Sequence, residues 1–405
     1  SGVGIRFNDA INADNAGNND RTLTLNAGTA SSIQVTGTVG NSQALAGLTI
    51  TQSTGTNFSS TVDVSDSNSG TITLTDTTDN ANIVFNNNVT ADTFTTAAQG
   101  YDIFLLGNAT FANAVTFQNT GTLDLGNATS DTLTFNGGVT ENTTGNVTID
   151  GAIVSSNDAI SFGNILLGQN LSMTSAGGAI SIGTISPASG SRDVTITSSG
   201  GSANTVAVGA ISGNINTVAI TGSTSVTLNG NITTDNSSGN SVTITGTTIN
   251  TGAITIDTDN SSNDGAINLV GSVAGSNNNL VLNSGGAEIT LSGTALNLGS
   301  GSLTTTGDIN LANNVSITAT GGMTINDKID ADSASSNDRT LTLNSGTGAT
   351  MTFNDAIGST EALAGLTITQ SDGVTFNSTL DITDGSAGTL TVTDTENGSD
   401  IIFNG

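Results

Sequence analysis

The residues of this chain best suited to chemistry are its carboxylates. Residues 257–265 read DTDNSSNDG, which gathers Asp257, Asp259 and Asp264 into one short stretch. Calcium takes about six to eight oxygen ligands, and turns rich in Asp and Asn supply such oxygens. Asp76 with Asp79, and Asp394 with Glu396 and Asp400, form looser groups of the same kind. The glycine-rich calcium pattern GGxGxD is absent, and the EF-hand pattern lacks its closing glutamate. Asp and Asn serve equally well in solvated turns, where their side chains bond to nearby backbone. The expectation is therefore no cofactor and no metal, with Asp257, Asp259 and Asp264 the candidates should calcium bind.

Paired carboxylates also cleave glycosidic bonds, one as acid and one as base or nucleophile. Asp20–Arg21 has an equivalent at Asp338–Arg339, and Arg would balance a developing negative charge. An adjacent Asp–Arg pair is more simply a turn with a surface ion pair of small energetic weight. The chain has no His and no Cys, and its one tyrosine is Tyr101, so the usual bases and nucleophiles are scarce. No catalytic residue is assigned, and the chain is not expected to be an enzyme. Thr22/Thr24, Thr49/Thr51 and Thr71/Thr73/Thr75 form T-x-T elements of the sort that order water on a flat face. Their irregular spacing favours the plainer reading, in which Thr is the preferred outward residue of a strand.

Composition narrows the partners. Five Lys and Arg stand against 33 Asp and Glu, for a formal net charge of −28. Nucleic-acid binding needs clustered cations to displace counterions, so it is excluded, and an anionic membrane surface is disfavoured. No apolar run is long enough to span a bilayer as a helix, and no signal peptide is recognisable. The expected setting is secreted, at the cell surface or in the extracellular matrix. There, a chain without cysteine must be held by its own backbone ladder.

The elements that would position these residues are short strands. Segments 22–26 (TLTLN), 132–137 (TLTFNG), 193–198 (DVTITS), 225–230 (SVTLNG) and 288–293 (EITLSG) share one form. Two apolar residues lie two apart around a Thr or Ser, and Gly, Asn or Asp follows. That period buries one face and wets the other. The 52 glycines and the many β-branched residues penalise helices. A longer repeat overlies this rhythm. Residues 20–29 (DRTLTLNAGT) match 338–347 (DRTLTLNSGT), and ALAGLTITQS occurs at both 44–53 and 362–371. The offset of 318 holds without a gap from residues 2–87 onto 320–405. Stacked coils of fixed length explain such spacing.

These features predict an all-β fold: a parallel β-helix, or solenoid, of many short strands. It would run continuously over residues 1–405, with one repeat unit at 2–319 and the start of the next at 320–405. Coils of roughly 20–25 residues, each rising about 4.8 Å, would make a rod on the order of 80–95 Å long. Phe85, Phe94, Phe104, Phe111, Phe117, Phe135 and Phe162 predict a wider core in the first part. Neither end reads like a cap, so the natural protein is expected to continue or to stack on further copies.

The Thr/Asn/Gly-rich segments 217–230 (TVAITGSTSVTLNG) and 279–293 (NLVLNSGGAEITLSG) carry a resemblance. The chain resembles the filamentous-haemagglutinin-like and autotransporter passenger regions of large bacterial surface exoproteins. The resemblance implies a right-handed β-helix, export, and a role in adhesion or surface layers. The resulting expectation is a structural or adhesive fibre segment whose chief partner is itself, end to end or side by side, with cell-surface glycans as a further partner. A glycan-binding or polysaccharide-cleaving β-helix is the alternative. A calcium-dependent surface-layer protein is the lesser one.

Overall fold

The computed structural model describes residues 2–14, 21–66, 69–201, 204–234, 240–260, 263–332, 339–384, 388–396 and 398–405. Among them there is no helix, and every strand pairing is parallel except one. The exception is the small antiparallel pair Asp259–Asn260 with Asn263–Asp264. The chain is thus an all-β parallel solenoid, as its period-two rhythm predicts. Its backbone forms two compact units, Ser1–Asn204 and Thr205–Gly405.

In the first unit the strands fall into three parallel ladders. One runs through Ser31–Val35, Thr56–Phe58, Asn82–Phe85, Asp102–Leu105, Leu123–Leu125 and Val147–Ile149. A second includes Val89–Ala91, Ala109–Phe111, Thr132–Phe135 and Ala152–Ser155. The third includes Thr22–Asn26, Gly47–Gln52, Thr71–Leu74, Thr93–Thr96 and Val115–Phe117. Alternate residues point inward, so Ile72 and Leu74, or Leu133 and Phe135, are buried at 1% exposure or less. Coil length is less uniform than the sequence suggests. It runs from 18 residues, between partners Val147 and Ile165, to 29, between Gly2 and Ser31. The strands keep register while the turns absorb the difference.

The phenylalanines fill the first unit's core. Phe94 packs against Phe85, Phe111 and Phe117 at ring separations of 6.3, 5.1 and 5.9 Å. Phe104 departs from the expected cluster: it is half-buried in an outward column, with Val84 on one side and Asp124 on the other. Its position in DIFL is one residue out of phase with inward Ile103 and Leu105, and a one-residue slip reverses the face. Tyr101 is fully buried. Its hydroxyl lies 3.0 Å from the Leu74 carbonyl oxygen and accepts from the Ala97 N–H at 2.9 Å. Burial pushes its phenol up to about 12, with the Ala97 backbone bond opposing and Asp76 adding to the rise. The one tyrosine of the chain therefore serves packing.

The second unit uses longer strands. Ile215–Leu228, Asn240–Thr251 and Ala266–Ala274 pair in parallel, and their register shifts between Gly222 and Ser225 and between Thr245 and Thr248. Each strand bends there from one face to the next. Turn polar groups are handled by ladders of like side chains. Asn354 donates to Asn326, Asn377 to Asn354 and Asn404 to Asn377, all at 2.9–3.0 Å. Such coil-to-coil amide bonds are the expected role of stacked Asn.

The 318-residue offset is a repeat of geometry as well as of sequence. Val35, Phe58 and Phe85 form one inward column, and their equivalents Phe353, Phe376 and Phe403 form another. Phe58 stacks on Phe85 at 4.9 Å, and Phe376 on Phe403 at 5.0 Å. Leu23 pairs with Leu48 and then Ile72, and Leu341 with Leu366 and then Leu390.

Candidate functional site

The proposed calcium residues are only partly assembled. Asp259 and Asp264 face each other across the antiparallel pair, and both carboxyls come down over Gly285. Asp264 accepts from the Gly286 N–H at 2.8 Å. Asp257 is turned to other work, accepting from the Asn283 amide at 3.0 Å and from the Asp259 N–H at 3.2 Å. Among the described residues, no group of three or more His, Cys, Asp or Glu side chains is placed to hold a metal ion. The looser acidic groups also bond to turns. Asp76 accepts from Gln52, Asp394 from Gln370, and Asp79 from the Gly100 N–H.

Asp20 and Asp338 lie outside the described residues; Arg21 and Arg339 each pair with an aspartate seven residues earlier. Arg21 binds Asp14 at 2.9 Å, and Arg339 binds Asp332 at 2.7 Å with a second bond from Nε at 2.8 Å. The two ion pairs stand at equivalent places in the two repeats. The second clamp is the drier, at 18% and 24% exposure against 58% and 54%. Bidentate geometry and shielding favour the drier pair. Arg339→Ala is expected to cost no more than about 1 kcal/mol, and Arg21→Ala less, as read by thermal unfolding of the two variants side by side.

An acidic groove on the second unit escaped the sequence reading. It encloses about 320 Å³ and is lined by Glu288, Asp308, Asn310, Asp330, Thr360 and Glu361. Parallel register sets Glu288 beside Asp308 and Asn310 beside Asp330. Asp330 accepts from the Thr360 N–H at 2.9 Å, fixing the loop that carries Glu361. The first repeat makes the same loop bond, from the Ser42 N–H to Asn12, at 3.0 Å. There the positions of Asp330 and Glu361 are held by the neutral amides Asn12 and Gln43. These carboxylates are 20 or more residues apart in sequence, so no local motif announces them. An amide-to-acid change between repeat copies is the signal that could have.

The T-x-T elements are brought together more regularly than their spacing suggests. Thr24, Thr49, Thr73, Thr95, Thr116 and Thr140 are successive register partners in one outward column of the first unit. Loops of unequal length hide this alignment in the sequence. At the other extreme of polarity, Leu390, Val392, Ile402 and Phe403 are 36–53% exposed. In the first repeat Ile72, Leu74 and Phe85 occupy equivalent positions at 1% or less. There the strands Thr93–Thr96 and Asp102–Leu105 cover them.

No protein-family model, curated protein or solved structure matches the chain. The fold defines the class: a parallel β-solenoid with an internal repeat.

Proposed function

We propose that this chain is a segment of a structural or adhesive fibre at the surface of a bacterial cell, built from stacked β-solenoid repeats. The observation that carries the reading is the reuse of one construction 318 residues apart. The Phe column, the Asp–Arg clamp and the coil register all recur. A catalytic or ligand-binding domain gains little from repeating its scaffold at such fidelity. A fibre gains length, because each coil adds hydrogen bonds and buried apolar rows to its neighbour. The charge of −28 keeps such a rod soluble and resists unplanned bundling. Export and self-association follow from this reading, as they do from the resemblance to surface exoproteins. The test is immunogold labelling of intact source cells, followed by adhesion of beads coated with the chain. Surface label and bead adhesion or bead–bead clustering are expected. Label confined to the cell interior would overturn the proposal.

A second reading, a glycan-binding β-helix, is favoured by the acidic groove alone. Carboxylates and the Asn310 amide would accept and donate hydrogen bonds to sugar hydroxyls there. Under that reading Asp330→Asn with Glu361→Gln abolishes retention on a polysaccharide column. Under the fibre reading the two substitutions leave retention unchanged.

A further inference from the structure

Two carboxylates in the first unit are placed where charge is poorly tolerated. Asp124 lies in the outward column of the Leu123–Leu125 strand, between half-buried Phe104 on the preceding coil and Thr148 on the next. Asp150 follows the Val147–Ile149 strand, on the same outward face as Asp124, one coil on and one pleat along. Oδ1 of Asp124 is buried without a hydrogen-bond partner, and Oδ1 of Asp150 is buried against the backbone of Gly168. Asp150 is seated directly against Gly168 on the coil beyond, where a Cβ would overlap its carboxyl. The charged groups that act on Asp150 are Arg192 and Asp131, and Asp102 and Asp193 lie on the neighbouring strands Asp102–Leu105 and Arg192–Ser198. Asp102 is engaged by the Thr122 N–H at 2.6 Å, and Asp131 by the Asn127 and Ala128 N–H groups at 2.9 and 3.0 Å. Asp193 is held by Asn170 at 3.0 Å. Arg192 is the one cation acting on Asp150.

We infer that the coils spanning residues 123–168 form a proton-operated stiffening device, which tightens the first unit when Asp124 and Asp150 take up protons on acidification. A neutral carboxyl in either place removes like-charge repulsion and an unsolvated charge, and its O–H becomes a donor. The direction agrees with the local electrostatics. Burial, and then the charge of Asp150, raise Asp124 to about 6. Asp150 is raised by burial first, against the pull of Arg192, with Asp131 adding to the rise and the Gly168 N–H opposing it. An unfolded Asp titrates near 4, so between about pH 4 and 6 the folded chain holds more protons than the unfolded one. Stability therefore falls as pH rises through that window and is gained as pH drops through it.

The test is thermal unfolding at pH 7.5 and pH 5.0, with hydrogen exchange at the amides of Leu123–Leu125 and Val147–Ile149 corrected for intrinsic rates. Wild-type protein is expected to gain on the order of 3 °C at the lower pH, with slower exchange concentrated in those strands. Asp124→Asn, and separately Asp150→Asn, should raise the midpoint at pH 7.5 and lose most of the acid gain. Glu396→Gln removes the same charge from an exposed turn and should keep the gain in full. An acid gain of equal size in all four proteins would mean that general charge relief is responsible, and would overturn the inference. So would a lowered midpoint at pH 7.5 in both Asn variants.

Discussion

Replacing Phe94 with Ala is expected to destabilise the protein by about 3–5 kcal/mol, the usual cost of deleting a buried ring. Phe94 is 2% exposed and touches three other rings from the centre of the first unit's core. A narrow solenoid has backbone on every side of such a ring. The walls are fixed by ladder hydrogen bonds and cannot collapse into the space, which places this site at the costly end of the range. Phe94→Leu keeps most of the volume and should cost about 1.5 kcal/mol or less. Phe104→Ala supplies the contrast. Its ring is outward and half-buried, so about 1 kcal/mol or less is expected. Chemical denaturation of the three variants checks the order, and a Phe104→Ala loss equal to that of Phe94→Ala would refute the assigned faces.

The second large effect is at a pair of equivalent glycines. Gly40 and Gly358 have φ of +74° and +76°, a conformation that costs an L-residue about 1–2 kcal/mol. A Cβ there would also run into a carbonyl oxygen of the neighbouring coil, that of Asp63 at Gly40 and that of Asp381 at Gly358. The obstruction is backbone in both repeats, so it cannot swing aside. Gly40→Ala and Gly358→Ala are each expected to cost about 2–4 kcal/mol, combining strain with overlap. Gly348→Ala, whose Cβ would meet nothing within 4 Å, is the neutral control. Both sites were invisible as special positions among 52 glycines. Similar losses at the two would show that the repeats share one mechanical design.

Much of the fold was legible because a solenoid writes its structure locally. Segments such as TLTLN and SVTLNG carry both their strand and their inward face in five or six residues, and the gapless 318-residue offset matches each coil's length in one copy to its equivalent in the other. What the sequence hid depends on register between coils. Phe104 looks like Phe94 until its partners Val84 and Asp124 show that it faces out. The Thr column from Thr24 to Thr140 is scattered by unequal loops, and the acidic groove joins Glu288 to Glu361 through a wall of intervening strands. The calcium candidates show the reverse relation. Asp257, Asp259 and Asp264 are close in sequence, but strand polarity sends Asp257 to Asn283 on the next coil. Nearness along the chain is a weak guide to a site when every outward neighbour on the next coil lies 18 to 29 residues away.

The most direct test of the fibre account is cryo-electron microscopy of the native material, prepared without detergent or proteolysis. The account predicts continuous rods with a layer spacing near 4.8 Å, in which this segment recurs along the axis. Compact separate particles, each with the acidic groove open to solvent, would contradict it.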